Sequence, residues 1–163
     1  MSHGEVLVRP GVLEDYPQAA QVIAATFAFH QQAAPEFFRE TASPAPTRAW
    51  IEALLQDAQG AWYLAEVVHE RRIVGFITVH LQQVPQEPFL IPEVRANIDN
   101  LGILPAWQRR GIGRQLMAEA EQWARQHGAH RIMLSVWEFN QGALGLYEAL
   151  GYTTFRRILG KAL

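Results

Sequence analysis

The spacing of apolar residues along the chain changes several times, and each change marks an element. Alternation over Val6 to Arg9 predicts a short strand. Asp15 stands at a helix-cap position, with Gln18 three residues on as the second half of a capping box. A helix is therefore expected from about Pro17 to about His30. Gln31 to Thr47 mixes Phe37 and Phe38 with several prolines and reads as a loop or broken helix, followed by a helix carrying Trp50, Ile51, Leu54 and Leu55. Ala61 to Val68 and Ile73 to Leu81 are β-rich runs parted by the polar tetrad His69, Glu70, Arg71 and Arg72, which predicts an antiparallel hairpin. Val84 to Pro92 contains three prolines and reads as a loop leading into a strand from about Val94 to Leu104, which Pro105 helps to end.

The second half is more regular. Ile112, Leu116, Ala120, Trp123 and Ala124 recur at helical spacing up to His127, and Gly128 stands where a left-handed C-terminal cap would sit. Arg131 to Trp137 reads as a strand, Asn140 as the cap of a helix running to Leu150, Gly151 as its end, and Tyr152 to Leu159 as a last strand. Strand, helix, strand, helix, strand implies at least one parallel crossover among antiparallel pieces, an α/β fold with a mixed sheet. No repeat or low-complexity tract interrupts it, and residues 1–163 are expected to form one domain.

Composition narrows the chemistry. The formal net charge is -2 with both signs spread along the chain, so no bulk electrostatic reason exists to bind nucleic acid or an anionic membrane, and small-molecule partners are expected. Cysteine is absent, which excludes disulfides, thiolate metal sites and a cysteine acyl-enzyme; no metal is expected. No apolar window approaches the roughly 18 residues of a membrane span, so a cytoplasmic location is the expectation. Lys161 is the only lysine among the 14 basic residues, a bias that carries no functional reading.

The most informative run is Asn100 to Arg114, where a strand passes through a tight turn into the long helix. Gly111 and Gly113 leave the backbone uncovered, so amides between Arg109 and Arg114 can converge on an anion at the helix N-terminus, and a pyrophosphate fits that description. Arg109, Arg110 and Arg114 put positive charge at an end where helices ordinarily carry acids, a mismatch that an anionic ligand would relieve. Two glycines alone also describe a plain helix-entry turn. A P-loop would require Lys and then Ser or Thr where Arg114 and Gln115 stand, and a dinucleotide fold would place three glycines after the first strand.

Gln108, Arg109, Arg110, Gly111, Ile112 and Gly113 match the Q/R-x-x-G-x-G/A signature, and the chain thereby resembles the GNAT superfamily of N-acetyltransferases. Asn140, Ala143, Tyr147, Gly151 and Tyr152 match a second family pattern, with Tyr152 in place of the usual Phe. Arg9, Asp15 and the Gly75, Phe76, Ile77 run suit the family's opening strand and helix and its third strand, so the resemblance spans nearly the whole chain. It implies a mostly antiparallel twisted sheet with one parallel, splayed strand pair and about four flanking helices. It also implies acetyl-CoA as acyl donor and an amine as acceptor. In that reading the loop Gln108 to Arg114 holds the pyrophosphate. The pantetheine arm enters beside Leu101, Gly102 and Ile103, and a backbone amide there stabilises the oxyanion as the amine attacks directly. Asn140 would bind pantetheine or nearby backbone, or simply cap its helix; the two roles are compatible.

Tyr147 lies two helical turns beyond Asn140 and is the candidate general acid for the departing CoA thiolate, the alternative being an amphipathic core tyrosine. For the base, Asp99 comes first, because strand alternation puts it on one face with Asn97, Leu101 and Ile103; the alternative is a solvated acid. Glu93, Glu36 and His30 are weaker candidates. Phe27, Phe29, His30, Phe37 and Phe38 occupy the region that covers the acceptor site in the superfamily and either shape a pocket or close the core. Trp107 either covers the adenosine end of CoA or lies on the surface. Two other readings remain open: a CoA-sensing module with the same fold and a purely structural tyrosine, and an interaction protein forming a homodimer through its late strands.

Overall fold

The computed structural model describes residues 4–41, 44–85 and 88–163. Strands β1 (Val6–Pro10), β2 (Gly60–Val67), β3 (Arg72–Val84), β4 (Glu93–Ile103) and β5 (Arg131–Leu134) form one sheet in sequential order. The first three pairings are antiparallel and β4 with β5 is parallel. Sequential antiparallel strands need only short connections, whereas a parallel neighbour needs a crossover. That crossover contains helix α3 (Ile112–Gln126); helices α1 (Tyr16–Ala33), α2 (Arg48–Gln56) and α4 (Gln141–Ala149) complete the fold.

The sheet is covered on both faces. Ile112, Leu116, Met117, Ala120 and Trp123 of α3 pack on Ala65, Val67, Val74, Ile77 and Val79, while α1 and α2 bring Ala19, Val22, Ile23, Ile51 and Leu54 against Trp62, Leu64, Ile73 and Phe76. Central β3 is therefore buried without interruption from Ile73 to Val79, which accounts for its continuous apolar run. Among the described residues no helix is long and apolar enough to cross a membrane.

Three expectations need correction. Asp15 holds the N-cap position of α1 but its side chain makes no cap bond; its carboxylate accepts from Arg9 Nη1 and Nη2 at 2.7 and 2.8 Å and from the Val12 N–H at 3.0 Å. The Arg9 guanidinium outcompetes the helix amides as a partner, also reaches Glu66, and holds the Asp15 carboxyl below the usual carboxylate range. Gln18, the presumed other half of the box, accepts instead from the Ile73 N–H at 3.3 Å. Second, Tyr152 to Leu159 is not a strand. Tyr152 is tied back to α4 by its N–H to the Tyr147 carbonyl and to α3 by its hydroxyl to Glu121 at 3.0 Å, and the tail beyond has no ladder partner among the described residues. β-propensity without a partner strand does not make a strand. Third, β5 ends at Leu134, short of Trp137.

Leu116 is fully buried between α3 and the sheet, and α3 carries the glycine loop at its start. Leu116→Ala is expected to destabilise the fold by about 2–5 kcal/mol, seen as a lower urea midpoint with an unchanged slope.

Candidate functional site

Beyond Ile103 the chain makes a 3-10 turn, Pro105–Trp107, and Gln108 Nε2 donates to the Ile103 carbonyl at 3.1 Å, closing the turn on itself. Arg109 and Gly111 both take left-handed backbone, φ 63° and 81°, before α3 begins at Ile112. Among the described residues the amides of Arg109 and of Gly111 to Arg114 have no acceptor. Those of the first helical turn point out along the axis. Gly113 is buried, and a Cβ there would come within 2.9 Å of Leu146 Cδ2, so the glycine lets α4 approach the start of α3. The first turn of α3 contains no acid, Arg109 and Arg114 are exposed and make no ion pair among the described residues, and the Arg110 guanidinium lies 4.8 Å over the Trp107 ring. Trp107 itself packs partly on the α3 core, which orders the turn. Amides without an acceptor, a helix N-terminus and the exposed Arg109 and Arg114 thus meet in one bend, the kind of donor set that suits an anion such as a diphosphate.

A gap opens beside this loop. The last β4–β5 partners are Ile98 and Leu134, while β4 continues to Ile103 paired only with β3. The Leu104 N–H donates to the Val74 carbonyl directly opposite, so alternation also turns Gly102 towards β3 and turns the N–H groups of Leu101 and Ile103 to the open edge. Gly102 is thus not one of the groups that face the gap. A Cβ on it would meet Thr26 Oγ1 at 2.3 Å, so it allows close packing of α1 instead.

The expected face of Asp99 is overturned by a bulge. Thr78 partners Asn100 and Val79 partners Ile98, leaving Asp99 as an extra residue in β4. Ala96 and Ile98 pack in the α3 core, and after the three-residue step so do Leu101 and Ile103. Asp99 Oδ2 lies 2.6 Å from His80 Nδ1, and Asn100 Nδ2 donates to Thr78 Oγ1 at 3.0 Å. With Ala45, Pro46, Thr47 and Trp50, Asp99 and Asn100 line a cleft of about 350 Å³ on the side of α2. The weaker base candidates stand elsewhere. Glu93 is at the far end of β4, hydrogen-bonded by Arg95 and Arg131 and held below the usual carboxylate range chiefly by Arg95. Glu36 is exposed on the loop after α1, and His30 Nδ1 lies 2.8 Å from the Thr26 carbonyl.

On the opposite face, Tyr147 joins the α3 core, against which Leu101, Ile103, Leu134 and Val136 also pack. Its ring lies 5.8 Å from that of Tyr152, its hydroxyl makes no hydrogen bond among the described residues, and burial pushes the phenol up to about 12. Asn140 caps α4, its side-chain oxygen accepting from the Ala143 N–H at 3.1 Å. The aromatic run after Phe27 belongs to neither core cluster. Phe29, His30, Phe37 and Phe38 instead pack on Trp137 and Phe139 in the segment after β5, with ring centroids 5.2–5.9 Å apart.

A model of the acetyltransferase (GNAT) family matches residues 26–152. The chain belongs to the GNAT acetyltransferase family. It is 29% identical over 96 residues to the uncharacterized N-acetyltransferase YycN of Bacillus subtilis, covering 59% of this chain and 58% of YycN. To the mycothiol acetyltransferase of Rhodococcus opacus it is 32% identical over 145 residues, 88% of this chain but 44% of the relative. The chain thus spans about half the length of these curated relatives. A tetramutant of the BH1408 protein from Bacillus halodurans superposes with a TM-score of 0.89 at 21% identity, over 96% of this chain and 99% of that one. Aminoglycoside N-acetyltransferase AAC(6')-Iy in complex with CoA gives a TM-score of 0.70 at 16% identity, over 99% and 96% of the two chains. These likenesses establish the GNAT fold, a mixed sheet with one parallel pair and four helices.

His80, Trp137 and Phe139 were missed by the sequence reading. His80 sits in an apolar strand, and only the β3–β4 register brings it to Asp99; Trp137 read as the end of a strand that in fact stops at Leu134.

The raised phenol of Tyr147 has a direct consequence. Its folded pKa of about 12 exceeds the ordinary value of 10, so the folded state keeps its proton where the unfolded chain loses it. Stability is unaffected by this group below pH 10 and falls as pH rises from 10 towards 12; a Tyr147→Phe chain should show a flatter alkaline limb in urea unfolding.

Proposed function

We propose that the chain, acting as one domain, is an acetyl-CoA-dependent N-acetyltransferase that moves an acetyl group to a primary amine of a small molecule or peptide by direct attack in a ternary complex. The observation that carries this reading is the set of amides at Arg109 and Gly111 to Arg114, which have no acceptor among the described residues, at the start of α3 beside the open β4 edge. The bend Gln108 to Arg114 would hold the diphosphate of acetyl-CoA, with Ile112 and Gly113 supplying helix N-terminal amides and the arginines adding charge. The open edge at Leu101 and Ile103 offers N–H groups to the pantetheine arm and the thioester carbonyl, where a fixed donor would stabilise the developing oxyanion. Asn140, which caps α4, orders the helix that carries Tyr147. A phenol kept protonated at neutral pH acts as proton donor and not as base, which suits Tyr147 to protonate the leaving thiolate.

Two measurements test this reading. Titration calorimetry with acetyl-CoA should show binding that Gly111→Val weakens by about tenfold, because β-branched residues pay about 1–2 kcal/mol for left-handed backbone. Release of CoA thiol in the presence of an amine should fall about 100-fold in Tyr147→Phe while acetyl-CoA affinity is retained. Binding without CoA release from the unmodified chain would point to the sensing module instead, and absence of binding at millimolar acetyl-CoA to an interaction protein.

A further inference from the structure

We propose that His80 is the group that takes the proton from the acceptor ammonium, with Asp99 as its positioning residue; this rests on the acetyltransferase reading above. Asp99 by itself is a half-exposed carboxylate at the edge of a cleft. The Asp99–His80 contact changes what it can do. The 2.6 Å contact joins the carboxylate to His80 Nδ1, and a carboxylate in that position holds the proton on Nδ1 and leaves the lone pair on Nε2. Among the described residues Nε2 of His80 has no partner, and the imidazole is partly open to solvent.

Position supports the assignment independently of the contact. Asp99 is the bulged residue immediately after Ile98, the last residue of β4 to pair with β5, so the dyad stands where the sheet begins to open. Bulges re-aim side chains in this way. Thr78 and His80 share a face of β3 with Phe76, which packs under α1 and α2, whereas Tyr147 packs on the α3 face. His80 and Tyr147 thus stand on opposite faces of the sheet, so each can meet a molecule in the gap from its own side. Asp99 is the only charged residue lining the adjoining cleft among the described residues, and Arg48 and Glu52 on α2 pair with each other at 3.8 Å.

The step balances as follows. An N–H bond of the ammonium breaks and its proton passes to Nε2. The neutral amine then forms the C–N bond to the thioester carbonyl, the C–S bond breaks, and sulfur takes the phenolic proton of Tyr147. A second nitrogen proton restores the phenol, and the imidazolium releases its proton to solvent.

The test follows CoA release from acetyl-CoA with tyramine, spermidine, glucosamine and a lysine-bearing peptide as acceptors, as a function of pH. His80→Gln should lower kcat about 100-fold at neutral pH with acetyl-CoA affinity unchanged. The loss should shrink as pH approaches the pKa of the amine, about 10 for a lysine-type group, because the substrate then arrives already deprotonated. Asp99→Asn, whose amide can donate to Nδ1 and so shift the proton to Nε2, should reproduce both the loss and its alkaline relief. If His80→Gln does not fold, Asp99→Asn carries the test alone. A turning-over wild type with an unchanged rate and pH profile in these variants overturns the assignment of His80 and leaves the enzyme reading intact. A wild type that binds acetyl-CoA yet acetylates none of the amines overturns both.

Discussion

Because β4 carries one residue more than β3 needs between Ile98 and Asn100, its far half cannot stay level with β5, and the sheet opens at that point. Much of the site follows from this. The open edge exposes the N–H groups of Leu101 and Ile103 that a continuous ladder would have consumed. The three-residue step keeps Leu101 and Ile103 in the α3 core, and the extra residue itself, Asp99, meets His80. An unpaired strand edge inside a fold costs hydrogen bonds, and it persists here because β3 still satisfies the other side of β4 through to Ile103.

The glycine loop solves a related problem at the other end of the gap. A helix N-terminus leaves several amides without partners, and most helices satisfy them with a capping side chain. The start of α3 has no such cap; its N-cap is Gly111 in left-handed backbone, and the surrounding charges are arginines where acids would be favourable. By contrast α4 is capped by Asn140 and α2 by Thr47, each side chain accepting from an amide of its helix's first turn. The bend is therefore electrostatically incomplete by itself, and it lies within the residues that the GNAT family model matches.

The aromatic cluster joins α1 and the loop after it to the segment after β5. Rings from α1 and the following loop meet Trp137 and Phe139 just past β5, with Phe29, Phe37 and Trp137 left 46%, 67% and 40% exposed. It bridges two segments and belongs to neither core cluster, so the reading that these rings close the core does not hold.

The helices at α3 and α4, the β2–β3 hairpin, the crossover and the family signature were legible in the sequence because each depends on local periodicity or on consecutive residues. What the sequence could not express were relations between distant positions. Asp15 matched a cap, but the Arg9 guanidinium claimed its carboxylate, and the β1–β2 pairing brought Glu66 to the same guanidinium. Tyr152 to Leu159 had strand composition, but no strand edge received it. Asp99 was legible as a titratable group on β4, but its face followed from a bulge defined only against β3, and its partner His80 lies nineteen residues away. Local periodicity and contiguous residues thus carried the fold class, most of the elements and the candidate anion bend. The tertiary structure alone decided which side chains meet across the opened sheet, because register and pairing are set by the summed packing of both faces and not by any local run.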